Sequence, residues 1–274
     1  MDSNNFIYGL LIVIILFTVS TLYFVNYCLP KDLDEICTSE YLIDDTYIPK
    51  IIWRTARKIT TELEKNALEL LSENPGYKLY FLNDEEAVTF LSENFSSEVL
   101  ESFHALRPGA YKADMLRYCL LYVFGGIYSD AKQKFMVPLD ELYTHEDTLV
   151  LTMDIPHGPD GIKSKKLYEG IQISFMVSRP RQPVFKRAIE MIVDNVRNKY
   201  YGNSYLDVTG PALFYRALVS LGREQTYVVA YKQQDDNHIV DMKDIPIIEC
   251  KTIGENSFKS GAYAENWNKR NVFK

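Results

Sequence analysis

Apolar residues recur along this chain at two spacings, and those spacings divide it into strands and helices. Short apolar runs at Lys50–Trp53 and Tyr77–Leu82 predict strands, and three- and four-residue repeats predict helices over Glu62–Ser72 and Glu85–Glu93. Thr61 and Glu64 suggest a capping box for the first helix, and Asn83 or Asp84 caps the second. Met115, Leu116, Cys119, Leu120, Val123 and Phe124 mark a third helix, stopped by Gly125 and Gly126. Ile127, Tyr128 and Ser129 follow as a short buried strand. Further strands are expected at Thr148–Met153, Ile171–Val177, Tyr227–Tyr231 and Ile245–Glu249. A long helix covers Val184–Tyr200, and Thr209-Gly210-Pro211 opens another, with Thr as cap and Pro in the first turn. The leading β-α-β-α order predicts an α/β domain with a mainly parallel sheet.

The amino terminus follows neither pattern. Phe6 to Val25 is an uncharged run of 20 residues, which at about 1.5 Å per helical residue matches a hydrocarbon core of roughly 30 Å. Met1 to Asn5 carries no Lys or Arg, unlike the basic start of a cleaved signal peptide. Residues 1–30 therefore read as one transmembrane helix, residues 31–47 as a polar, acidic stem, and residues 48–274 as a single α/β domain. Charges flanking the apolar run are too few and mixed to set its orientation.

A net charge of −7 leaves no basic footprint for a nucleic acid. Cys28, Cys37, Cys119 and Cys250 form neither a metal spacing nor a disulfide framework. Cys28 suits acylation at a membrane edge, while Cys37 and Cys250 either pair or remain thiols. Asn94-Phe95-Ser96 is the only N-glycosylation acceptor triplet.

The informative charges lie where apolar residues dominate. Asp114 and Arg117 are three apart on the third helix and share a face; either they pair with each other or they meet a ligand. Asp130 ends the next strand beside the glycine pair, and open α/β sheets bind ligands at such strand ends.

Five segments, in this order, resemble one family. They are Ile48–Thr55 (IPKIIWRT), Asn74–Asp84 (NPGYKLYFLND), Ala113–Asp130, Thr209–Pro211 and Tyr263–Phe273 (YAENWNKRNVF). Together they resemble the DXD-containing sugar transferases related to yeast initiation mannosyltransferases and inositol-phosphoceramide mannosyltransferases. A more distant likeness is to the glucosylating clostridial toxins. The resemblance implies a GT-A-type nucleotide-sugar-binding fold and transfer of a hexose from a UDP- or GDP-sugar to a glycan or glycolipid, with retention. It also implies a membrane-anchored, type II protein whose catalytic domain faces the ER or Golgi lumen. By likeness to the toxin branch, Asp114 and Arg117 would hold donor hydroxyls and the Trp267 indole would cover the diphosphate. Trp53 stands where the family usually has His; either it stacks on the nucleotide base or it is a core tryptophan.

One departure bears on the chemistry. The family motif is Asp-X-Asp, whereas this chain reads Asp130-Ala131-Lys132. Asp130 is the natural ligand for Mn²⁺ or Mg²⁺, which favour carboxylate oxygens together with substrate phosphates. Lys132 either supplies positive charge to the diphosphate directly or neutralises Asp130. The lost carboxylate also admits a reading from another class, a relative that binds a nucleotide sugar or glycan without turnover.

Overall fold

The computed structural model describes residues 44–154, 170–235, 237–250 and 261–274. The expected anchor, most of the stem, Cys28 and Cys37 lie outside the described residues. Among the described residues no helix is long and apolar enough to cross a membrane.

Among the described residues nine strands form one sheet: β1 (Ile51–Thr55), β2 (Lys78–Leu82), β3 (Gly126–Ser129), β4 (Lys134–Phe135), β5 (Leu149–Met153), β6 (Ile171–Ser178), β7 (Val228–Gln233), β8 (His238–Asp241) and β9 (Pro246–Glu249). Their spatial order is β2-β1-β3-β6-β5-β7-β8-β9-β4. The β1/β2, β1/β3 and β5/β7 pairs are parallel, and the other pairs are antiparallel. The expectation of a mainly parallel sheet is thus corrected to a mixed one. The β-α-β-α order governs only the first strands; later strands return beside their neighbours, which antiparallel pairing allows without a crossover helix.

Helices α1 (Thr61–Glu73), α2 (Asp84–Asn94), α3 (Ser97–Ala105), α4 (Gly109–Phe124), α5 (Pro183–Arg197), α6 (Pro211–Leu221) and α7 (Gly261–Asn268) complete the fold. The cap of α1 is Thr60, whose side chain accepts from Leu63 N, one residue before the expected Thr61. Asn83 caps α2, and Glu86 reaches back to the Asn83 backbone to close a capping box.

Alternation along β1 assigns its side chains to two cores. Trp53 joins the layer built with α2, α4, α5 and α6, while Ile52 joins the layer built with α1, β2 and the later strands. Arg54 follows Ile52 and is fully buried. The helix α4 is buried nearly all round, as expected of a helix without a wide polar face. It stops at Gly125 and Gly126, whose φ angles are +67° and +91°. A Cβ on Gly125 would stand 2.6 Å from Pro180 N, and one on Gly126 would stand 2.6 Å from Ile51 O. Only glycine fits both the backbone and the space, so the turn delivers β3 directly against β1.

Candidate functional site

Two charged residues on a buried helix must find partners, because an unpaired buried charge is costly. Asp114 and Arg117 find each other, with Arg117 Nη2 3.1 Å from Asp114 Oδ1. The pairing that their spacing allows is therefore present, and it extends further. Arg117 Nη1 donates to the Ile173 carbonyl of β6 at 2.7 Å and lies 3.5 Å from Asp130 Oδ1. Its guanidinium carbon sits 4.5 Å from the centre of the Tyr128 ring. The Tyr128 hydroxyl donates to Asp130 Oδ1 at 3.1 Å and lies 3.2 Å from Thr55 Oγ1 at the end of β1. The ends of β1 and β3, the first part of β6 and the middle of α4 thus meet in one polar network.

Asp114 closes the inner end of that network. Its Oδ2 accepts from Thr209 Oγ1 and from the Tyr263 hydroxyl, each at 2.8 Å. Burial pushes the Asp114 carboxyl above its ordinary range, against the pull of Arg117, Tyr263 and Thr209. Burial works against the Arg117 charge, but Tyr128, Asp130 and Asp114 outweigh it and the guanidinium is held protonated. Asp130 is the open end: its side chain is 40% exposed, against 8% for Asp114.

Thr209 was expected to cap a helix. It does not, because α6 begins at Pro211 with Gly210 in the cap position, and the threonine hydroxyl is spent on Asp114. Gly210 allows that approach, since a Cβ there would stand 2.9 Å from the Tyr263 hydroxyl.

Both tryptophans spend their indole N–H on backbone carbonyls of the protein. Trp53 is fully buried, stacked between Tyr80 and Phe124 with ring centroids 5.2 Å away on each side. Its indole N–H donates to the Gly125 carbonyl at 2.8 Å. Both faces and the polar edge are used inside the protein, so of the two readings the core tryptophan is the one present. Trp267 lies on α7, one turn after Tyr263, and its indole N–H donates to the Tyr201 carbonyl at 2.6 Å.

Lys132 sits partly exposed on the turn between β3 and β4, two residues after Asp130. Among the described residues, no cluster of three or more His, Cys, Asp or Glu side chains is disposed to hold a metal ion. Asp130 is a single carboxylate whose Oδ1 already faces a guanidinium and a phenol, and a cation so near opposes a divalent ion. Among the described residues, this donor set does not by itself make a metal site.

The sequence reading missed Tyr128, Thr209, Tyr263 and Arg54 as parts of this region. Arg54 sends its guanidinium beneath the Asp130 turn, donating to the Ser129 hydroxyl and to the Ala131 and Gln133 carbonyls. A charged residue one position before the end of an apolar strand was the available signal.

Residues 60–149 match the family described as glycosyltransferase sugar-binding region containing DXD motif. An uncharacterized glycosyltransferase of Acanthamoeba polyphaga mimivirus is 38% identical over 30% of this chain and 35% of its own length. The initiation-specific alpha-1,6-mannosyltransferase of Candida albicans is 24% identical over 61% of this chain and 51% of its own. The mannosyl phosphorylinositol ceramide synthase of Saccharomyces cerevisiae is 27% identical over 60% of this chain and 39% of its own. The chain therefore spans about half or less of the length of these relatives. The resemblance to DXD-containing sugar transferases is borne out, and the matched region contains Asp114, Arg117, Asp130 and Lys132.

Proposed function

Starting from a DXD-type sugar-binding region at residues 60–149, we propose that this protein is a glycosyltransferase of GT-A type. It moves a hexose from a UDP- or GDP-sugar to a glycan or glycolipid acceptor, with retention of configuration. The observation that carries this reading is the Asp114–Arg117–Asp130 network at the converging ends of β1 and β3. Breaking a sugar–diphosphate bond leaves negative charge on the leaving phosphate, and fixed cations aimed at that charge lower the barrier. Arg117, held in place by Ile173 and Tyr128, supplies a cation without the cost of reorganising it during reaction, and Lys132, on the turn beyond Asp130, adds a second positive charge. In this reading Asp130, at the open end, accepts from donor hydroxyls, and Asp114 holds Arg117 from behind.

A second reading has its own support. Both hydrogen bonds to Asp114 Oδ2 come from the protein, and Lys132 replaces the motif's second carboxylate, which suits a protein that binds a nucleotide sugar without turnover. The test is nucleotide release by the full chain from a panel of UDP- and GDP-hexoses, with an acceptor and with or without Mn²⁺, beside calorimetry with UDP and GDP. Release above the uncatalysed rate supports transfer. Binding without release supports the second reading, and neither binding nor release rejects both.

We also assign the membrane-anchoring role to residues 6–25, with the domain on the lumenal side. Asn94, part exposed at the end of α2, gives the check: an N-glycan there places the domain in the lumen.

A further inference from the structure

Arg54 is fully buried, and a guanidinium in that position demands an account. Its Nη1 donates to Asn66 Oδ1 of α1 at 2.5 Å and to the Ala131 carbonyl at 3.3 Å. Its Nε donates to Ser129 Oγ at 3.2 Å and its Nη2 to the Gln133 carbonyl at 2.9 Å. Three of these four acceptors therefore belong to residues 129–133, and the two carbonyls flank Lys132. A planar fork with several fixed donors suits this task, because one side chain ties successive points of a tight turn. Asp130 N donates to Ser174 O of β6, which fixes the turn from outside, and Gln133 N donates to Asp130 O, which closes it from within.

Each of these four acceptors is a neutral oxygen. The Arg54 charge is not cancelled by any of them; Asp130 acts on it only through space. Burial draws the guanidinium down to about 10, which still leaves it charged at neutral pH. The consequence appears in the local sum of charges. Arg54, Arg117 and Lys132 bring three positive charges, and Asp114 and Asp130 bring two negative ones, a balance of +1. With the second carboxylate of the usual motif in place of Lys132, the same group would carry −1. A turn with a balance of +1 attracts an anion without an ion to neutralise it first.

We propose that Arg54 is a positioning residue for binding the nucleotide diphosphate: its fork sets the shape of the Ser129–Gln133 turn that presents Asp130 and Lys132, and its charge biases that turn toward an anion. This rests on the donor-binding reading above and deepens it. A purely structural clamp would tie α1 to the sheet and have no bearing on ligand affinity.

The experiment compares Arg54→Lys, which keeps the charge and loses the fork, with Arg54→Gln, which loses the charge. Asn66→Ala serves as control, since it removes only the contact with α1. Three quantities are measured in each: melting temperature, amide hydrogen exchange over residues 129–134, and calorimetric affinity for UDP and GDP. In Arg54→Lys, exchange over the turn is expected to rise by about tenfold. In Arg54→Gln, nucleotide affinity is expected to fall by about tenfold or more, beyond the loss seen in Arg54→Lys. Asn66→Ala should lower the melting temperature and leave affinity within about twofold. Wild-type affinity in both Arg54 variants, or an affinity loss in Asn66→Ala equal to theirs, overturns the proposal. Unchanged turn exchange in Arg54→Lys overturns it even if the wild type binds neither UDP nor GDP, a result that by itself rejects only the donor-binding reading. Should neither Arg54 variant fold, Ser129→Ala against Asn66→Ala carries the comparison. The serine variant should loosen the turn and weaken nucleotide binding, and equal behaviour of the two overturns the proposal.

Discussion

The hydroxyl of Tyr263 donates to Asp114 Oδ2 at 2.8 Å, joining residues 149 positions apart in the chain. Tyr263 also stacks on Tyr111 at 4.2 Å between centroids, so the last helix is seated on α4 by packing as well as by that bond. Beyond it, Arg107 N donates to Val272 O and Arg107 Nε to Phe273 O, tying the carboxyl-terminal residues to the start of the same helix. The inner wall of the candidate site is thus supplied by the far end of the chain.

Replacing Tyr263 by Phe tests what that bond does. The ring and its stacking remain, one hydrogen bond to a charged acceptor is lost, and unfolding free energy should fall by about 1.5–3 kcal/mol. Thr209 and Arg117 still hold Asp114, so turnover should persist, and donor KM should stay near that of the wild type because Asp114 acts only through Arg117. Denaturant titration and donor kinetics measure the two effects. A rise in KM would instead make the Tyr263 hydroxyl a direct part of donor binding.

Arg117→Ala should be much more damaging to stability than a surface change. It leaves Asp114 buried without its cation, and breaking a buried pair in this way costs about 3–5 kcal/mol. Arg117→Lys keeps the charge but cannot reach Asp114, Ile173 O and Asp130 together, so it should fold better than the Ala variant and still lose most activity. Equal stability of wild type and Arg117→Ala would show the pair to be energetically idle.

The pH dependence of folding gives a separate check on Asp114. Burial raises its carboxyl pKa in the folded state, so the native protein binds this proton more tightly than the unfolded chain. The group's contribution to stability is therefore fully present below the unfolded carboxylate value of about 3.9 and is lost as pH rises through the higher folded value. Asp114→Asn removes that dependence. Relative to wild type, the Asn variant should gain stability as pH rises through this window, read by denaturant titration at successive pH values. A gap moving the opposite way would mean that Arg117, Tyr263 and Thr209 outweigh burial.

How much of this was legible in the sequence varies from residue to residue. Asp114, Arg117 and Asp130 stood out because charges are rare in segments so apolar, and the structure brings all three together. The glycine pair gave the stop of α4 for the same reason, that few residues meet its backbone demands. Trp53 was ambiguous because alternation tells which side chains share a face and not whether helices cover it; here Tyr80 and Phe124 do. Thr209 carried the pattern of a helix cap, and only the approach of α4 shows its hydroxyl directed elsewhere. Strand direction after β3 was beyond reach, since short apolar runs look alike in parallel and antiparallel pairs.

The altered motif gives the last prediction. Asp130 offers one carboxylate, faced by Arg117 at 3.5 Å, and the position of the second carboxylate holds Lys132 above a turn that Arg54 supports from below. Of the two readings that the sequence left open, the one in which Lys132 supplies charge directly gives the sharper test. Wild-type activity should then survive a chelator, and Lys132→Ala should reduce kcat by about 100-fold, the usual scale for removing one preorganised group that stabilises developing negative charge. Lys132→Asp turns the local balance from +1 to −1 and restores two carboxylates at Asp-X-Asp spacing. It should be nearly inactive in chelator and regain activity as Mn²⁺ is added, because the ion would then supply the charge that the ammonium supplied before. Loss of wild-type activity in chelator would overturn this order of events and return the neutralising role to a metal ion.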